Sequence, residues 1–175
     1  MLEPIPDHLR EHLNILFVGF NPSIKSSETG HHYANPNNRF WTILYRSGLT
    51  PVKLTAQEDF RLLEYGYGLT NIVARPTKEA AEITKEEYRQ GRIELMGKIE
   101  RYQPKTVCFV GKGVYQQYSK NRKVMWGLQE NSVSQASEFV APSSSGLVRM
   151  KLEEIIAIYH KLSTFVTKGD GKTWN

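Results

Sequence analysis

Asn21 sits in the run Gly19-Phe20-Asn21-Pro22-Ser23, directly after the apolar stretch Ile15-Leu16-Phe17-Val18. A carboxamide carries one acceptor oxygen and two donor hydrogens, so it can align a water or hold a polar ligand but cannot act as a base. Two more polar clusters follow, Gly30-His31-His32-Tyr33 and Asn37-Asn38-Arg39-Phe40-Trp41. Asn71 lies in a second strand-like stretch, and Ser143-Ser144-Ser145-Gly146-Leu147 adds a hydroxyl-rich loop with one large apolar side chain. Each of these residues also has a plain structural reading. Asn before Pro commonly makes an Asx turn, a serine run commonly makes a flexible turn, and a Tyr near Phe40 and Trp41 commonly belongs to a core. Leu147 either projects from its loop or folds inward as a helix staple. The His residues are not spaced with carboxylates as metal ligands, Cys108 lies within the apolar run Val107-Cys108-Phe109-Val110, and no Ser stands in a nucleophile-elbow pattern. No metal site and no covalent nucleophile is expected.

Such residues need a scaffold that gathers loops at one edge. Strand and helix patterns alternate, which predicts an α/β fold with a mostly parallel sheet covered on both faces, and ligands of such sheets bind beyond the carboxyl ends of the strands. Strands are expected over residues 15–19, 69–73, 106–110 and 138–141. A helix is expected over residues 38–47, stopped by Gly48, and another from the capping box Thr55-Ala56-Gln57-Glu58 through Phe60 and Leu63 to Gly66. A second box, Thr84-Lys85-Glu86-Glu87, opens a longer helix with Leu95, Met96, Ile99 and Tyr102 on one face until Pro104. A short helix runs through Tyr115 and Tyr118, and the last carries Leu152, Ile155, Ile156, Tyr159 and Leu162 as an apolar stripe. Residues 121–135 read as a polar connection and 167–175 as a polar tail, leaving a single domain over residues 1–166.

With 175 residues, 39% of them hydrophobic, the chain can bury roughly two-thirds of its unfolded surface around one core. The 23 Lys and Arg against 18 Asp and Glu leave a net charge of +5, weak support for a polyanionic partner. No stretch is apolar enough to span a bilayer, residues 1–13 lack the apolar centre of a signal peptide, and a single Cys suits a reducing compartment. A cytoplasmic protein is expected.

Taken in order, the blocks GFNPS, GHHYANPNNRFW, GLTNIVARPT, VGKGVY and APSSSGLVR resemble the mismatch-specific uracil/thymine-DNA glycosylases of the uracil-DNA glycosylase superfamily. A lone GxNP or PSS recurs by chance, whereas these blocks keep the family's order and spacing through most of the chain. The resemblance implies a three-layer α/β/α fold and hydrolysis of the N-glycosidic bond of uracil, in some members thymine, opposite guanine; ethenocytosine is a further candidate lesion. It implies no metal or organic cofactor. The implied partner is double-stranded DNA containing a mismatched or damaged pyrimidine, engaged by a monomer that rotates the nucleotide out of the stack.

By the same resemblance Asn21 positions the attacking water, and Gly19, Phe20, Ser26, His32, Tyr33 and Asn71 form the base pocket. Tyr33 stacks on the base, while backbone N–H groups around Phe20 and Tyr33 meet the pyrimidine carbonyls. Ser143, Ser144, Ser145 and Gly146 clamp phosphates, Leu147 fills the vacated stack, and Lys112 and Arg149 contact phosphate or the widowed guanine. Arg39 and Arg75 are candidates of the same kind for such contacts. Some relatives have His where this chain has Ala141, and Asp where it has Asn21, which predicts slow catalysis. Ser23 stands where many relatives have Gly, and Ser26 where thymine-active relatives have Ala. Two rival readings are a non-catalytic nucleic-acid-binding α/β module and a small-molecule hydrolase, the latter without the expected Gly-rich phosphate fingerprint.

Overall fold

The computed structural model describes residues 2–170. Its layers follow from alternation along the apolar strands. In β1 (Ile15–Gly19), Ile15 and Phe17 pack to one side of the sheet and Leu16 and Val18 to the other, the pattern of a strand buried on both faces. The same alternation in β3 (Thr106–Val110) sends Cys108 and Val110 one way, Val107 and Phe109 the other. With β2 (Tyr67–Asn71), β4 (Gly127–Leu128) and β5 (Ser137–Ala141) they form one sheet in the order β2-β1-β3-β5-β4, parallel except for β4. Helices α2 (Phe40–Arg46) and α5 (Leu152–Asp170) cover one face, and α3 (Lys85–Tyr102) and α4 (Lys112–Ser119) the other, so the α/β/α architecture is as expected. From β1 the chain goes to one side for β2 and to the other for β3. The crevice beyond Gly19, Asn71 and Val110 is therefore the switch point of the sheet, where an open α/β fold admits a ligand.

Several elements differ from expectation for local reasons. A helix unannounced by apolar periodicity, α1 (Ile24–Thr29), is set by Ser23, whose hydroxyl accepts the Ser26 N–H. The helix expected at residue 38 begins at Phe40, because Asn38 Oδ1 accepts the Phe40 N–H. The segment after Thr55 winds as a 3₁₀ helix, Ala56–Tyr65, which turns its faces: Asp59 is 1% exposed and Phe60 54%. Strand β2 starts two residues earlier than read, immediately after Gly66, and β4 arises inside the polar connection. On α3 the inward face is Gly91, Leu95 and Ile99, with Met96 partly exposed. A Cβ on Gly91 would lie 1.9 Å from the Ile72 carbonyl oxygen, so only glycine lets this helix approach the sheet. Helix α5 continues through residues 167–170, and the rest of the expected tail, 171–175, lies outside the described residues. None of the described helices is long and apolar enough to cross a membrane.

Candidate active site

An open cleft of about 890 Å³ occupies the switch point, lined by Gly19, Phe20, Asn21, Ser26, His32, Tyr33, Asn71 and residues 143–147, with Arg39 and Thr77. Asn21 follows β1 and is held by its nitrogen: Nδ2 donates to the Arg75 carbonyl and to Thr77 Oγ1, each at 2.8 Å. Among the described residues no donor reaches its Oδ1, which leaves an acceptor at the cleft. Gly19 makes the room behind it. A Cβ there would stand 2.7 Å from Asn71 Oδ1 and 3.0 Å from the Tyr33 hydroxyl, so the last residue of β1 must lack a side chain for those groups to converge.

The Tyr33 ring stacks on Phe40 with centroids 3.9 Å apart and planes 11° from parallel. Among the described residues its buried hydroxyl has no hydrogen-bond partner, and burial holds the phenol neutral by pushing its pKa well above the usual value. Tyr33 also adopts φ 52, a left-handed conformation that costs a non-glycine residue about 1 kcal/mol and typically persists where a site demands it. Phe20 turns its ring against Gly113 and edge-on to Tyr88. Ser26 is buried, and its hydroxyl accepts the Ala34 N–H at 3.1 Å, so it braces the loop that carries Tyr33 as well as lining the cleft.

The histidines are organised by a residue that sequence spacing concealed. Asp59, far along the chain, accepts the His32 N–H at 2.8 Å, pairs with His31 Nδ1 at 3.1 Å, and lies 3.2 Å from His8 Nε2, off the hydrogen-bond axis. Burial alone would push this carboxyl up, but the contacts from His8, His32 and His31 outweigh it and hold it at about 2. Sequence spacing shows no metal-ligand pattern of His with carboxylates, and the fold brings such a group together from distant parts of the chain. Among the described residues His8, His32 and Asp59 form the one group whose potential ligand atoms come within 4.8 Å, with the carboxylate already paired with His31 and accepting the His32 backbone N–H. His32 Nε2 lies 2.8 Å from the Pro6 carbonyl, an acceptor only, so that nitrogen carries the proton and the ring is tied to the amino-terminal segment. Burial pushes its pKa down, leaving it neutral at pH 7. His32 thus lines the cleft as a brace, with its Nε2–H committed to the Pro6 carbonyl.

The serine loop is fastened. Arg39 N–H donates to the Ser144 carbonyl at 2.9 Å and its guanidinium to the Ser145 carbonyl at 3.2 Å, while Ser143 and Ser145 hydroxyls accept the N–H groups two residues on. Ser144 is buried within the lining of the cleft, while Ser143 and Ser145 remain half-buried at the rim. Leu147 is 91% exposed at the mouth of the cleft, which disposes of the inward-folded alternative. Lys112 lies outside the lining with its ammonium 4.2 Å over the Trp126 ring, and Arg149 is exposed outside it too. Arg75 is ion-paired with Glu87, so its charge is committed, and it serves Asn21 through its carbonyl. Sequence reading missed Thr77, Asp59 and His8. Each acts on a residue distant in the chain, and only the order of the ARPT block hinted at Thr77.

The solution NMR structure of a candidate uracil-DNA glycosylase from Methanosarcina acetivorans has the same fold, with a TM-score of 0.63 over 92% of this chain and 98% of that one at 21% identity. The family model of the uracil DNA glycosylase superfamily matches residues 6–165, a span that includes every cleft residue described above. By that match, and with a fold and a switch-point cleft in keeping with it, the chain belongs to the uracil-DNA glycosylase superfamily.

Proposed function

We propose that the protein is a monofunctional, mismatch-specific glycosylase that hydrolyses the N-glycosidic bond of uracil opposite guanine in duplex DNA, acting as a cytoplasmic monomer and leaving an abasic site. The observation that carries this reading is the fully projecting Leu147 at the mouth of a cleft that holds the Tyr33 ring and the Asn21 carboxamide. A projecting leucine serves a nucleotide leaving a base stack, because it can occupy the gap; a free small molecule leaves no gap to fill. In the cleft the base would lie against Tyr33, whose position Phe40 fixes from behind. The C1′–N1 bond breaks with both electrons passing to the uracil ring, and water then adds to the sugar cation, releasing its proton to solvent. Asn21 Oδ1 aligns that water without taking the proton. Ala141 supplies no imidazole and the His32 ring is bound to Pro6, so no side-chain acid assists the leaving base and turnover is slow. The reading requires neither metal nor organic cofactor.

Base release is measured under single-turnover conditions on duplexes carrying G·U, G·T, G·ethenocytosine and A·U, and on single strands. Fastest release from G·U is expected. Tight binding without release from any of them would establish the non-catalytic alternative, and equal hydrolysis of the free nucleoside would favour a small-molecule hydrolase.

A further inference from the structure

The amide of Asn21 has a defined orientation because both of its neighbours dictate it. Thr77 is 4% exposed, and its hydroxyl donates to the Glu79 carbonyl at 2.8 Å, a group that only accepts. With its proton so placed, the Thr77 oxygen has only a lone pair to turn toward residue 21, and the atom 2.8 Å away must be a donor. The other neighbour is the Arg75 carbonyl, again a pure acceptor. A flipped carboxamide would set oxygen against oxygen at both contacts. The segment bearing these acceptors is itself anchored: Arg75 binds Glu87 and the Glu82 carbonyl, Glu87 accepts the Thr84 N–H at the start of α3, and the Thr77 N–H returns to the Pro22 carbonyl.

We propose that Thr77 is a positioning residue of the glycosylase site: its committed hydroxyl turns the Asn21 carboxamide so that Oδ1, and not Nδ2, faces the cleft as the acceptor that aligns water. The proposal rests on the glycosylase reading for its chemistry, although the orientation itself does not depend on it. It also accounts for the amide at this position. An Asp at 21 would bring a carboxylate oxygen against the Arg75 carbonyl, so the frame suits a water-aligning amide and opposes a charged base.

The test joins an NMR readout to kinetics. The Asn21 side-chain NH₂ resonances are identified by their loss in Asn21→Ala, and their exchange with water is compared in wild type, Thr77→Val and Thr77→Ser. Both hydrogens are bonded in wild type, so slow exchange is expected. Thr77→Val keeps the shape but loses the lone pair, and should speed exchange and slow uracil release from G·U by about tenfold each, the worth of one hydrogen bond. Thr77→Ser keeps the hydroxyl and should restore both to within about threefold. Wild-type exchange and rate in Thr77→Val would overturn the proposal, as would a Thr77→Ser variant as impaired as Thr77→Val. If Thr77→Val does not fold, the wild-type spectrum still decides: freely exchanging Asn21 hydrogens overturn it. Should wild type release no uracil at all, the glycosylase reading fails while the exchange comparison continues to decide the orientation.

Discussion

Gly19 and Ser26 show how narrowly single side chains shape the cleft. Replacing Gly19 by Ala drives a methyl to 2.7 Å from Asn71 Oδ1 and 3.0 Å from the Tyr33 hydroxyl, both from residues that line the cleft. Gly19→Ala should therefore lower uracil release by about tenfold or more while leaving DNA binding largely intact, because a displaced pocket group acts on positioning; wild-type single-turnover rates would show that the two groups do not converge on the base. Ser26→Ala is expected to raise the thymine-to-uracil cleavage ratio opposite guanine, since one methyl in a tight pocket is worth about 1–3 kcal/mol. The structure adds a condition. The Ser26 hydroxyl braces the Ala34 N–H, so both rates should also drop somewhat, and a ratio that stays constant as they drop would assign Ser26 to bracing alone.

Among elements, the serine loop and the 3₁₀ helix carry the most information. Leu147→Ala removes the projecting side chain from a loop whose backbone is tied to Arg39, so the loop should persist and only the wedge be lost. Release from duplex DNA is expected to slow by about tenfold or more and release from single strands far less, since single strands offer little stacking to fill. Equal losses on both substrates would place Leu147 in the pocket rather than in the stack. Four of the five strands and the cleft loops were legible in the sequence because apolar runs reaching Gly19, Val110 and Ala141 mark both the sheet and its loop-bearing edge, whereas the second strand was read two residues late and β4 was not read. What the sequence concealed depends on partners distant along the chain. Asp59 occupies an inward position that periodicity assigned to Phe60, because 3₁₀ winding and three histidines stabilise a buried carboxylate there. Thr77 was hidden likewise, its role existing only across the gap to Asn21.

For the molecule as a whole, the His8–His31–His32–Asp59 hub ties the amino-terminal segment, the Tyr33 loop and the 3₁₀ helix together, and it should make stability fall in acid. The folded-state pKa of His32 is lowered, so the unfolded chain binds its proton more readily and stability declines as pH drops below about 6.5. Asp59 is also lowered, from 3.8 to about 2, so its contribution, on the order of 2 kcal/mol, is present above pH 4 and is lost as pH falls toward 2. Thermal melts between pH 7.5 and 5 should show the first decline, and His32→Gln should flatten it; an unchanged slope in that variant would remove His32 as its source. On the proposed reading, the hub and the sheet together hold an amide oxygen at the cleft that would receive a flipped base. The most direct measurement is single-turnover release of free uracil from a G·U duplex by wild type and by Asn21→Ala, with binding of the same duplex measured in parallel. Release by wild type, a loss of about two orders of magnitude or more in the variant, and unchanged binding are predicted; equal rates in the two proteins would contradict the account.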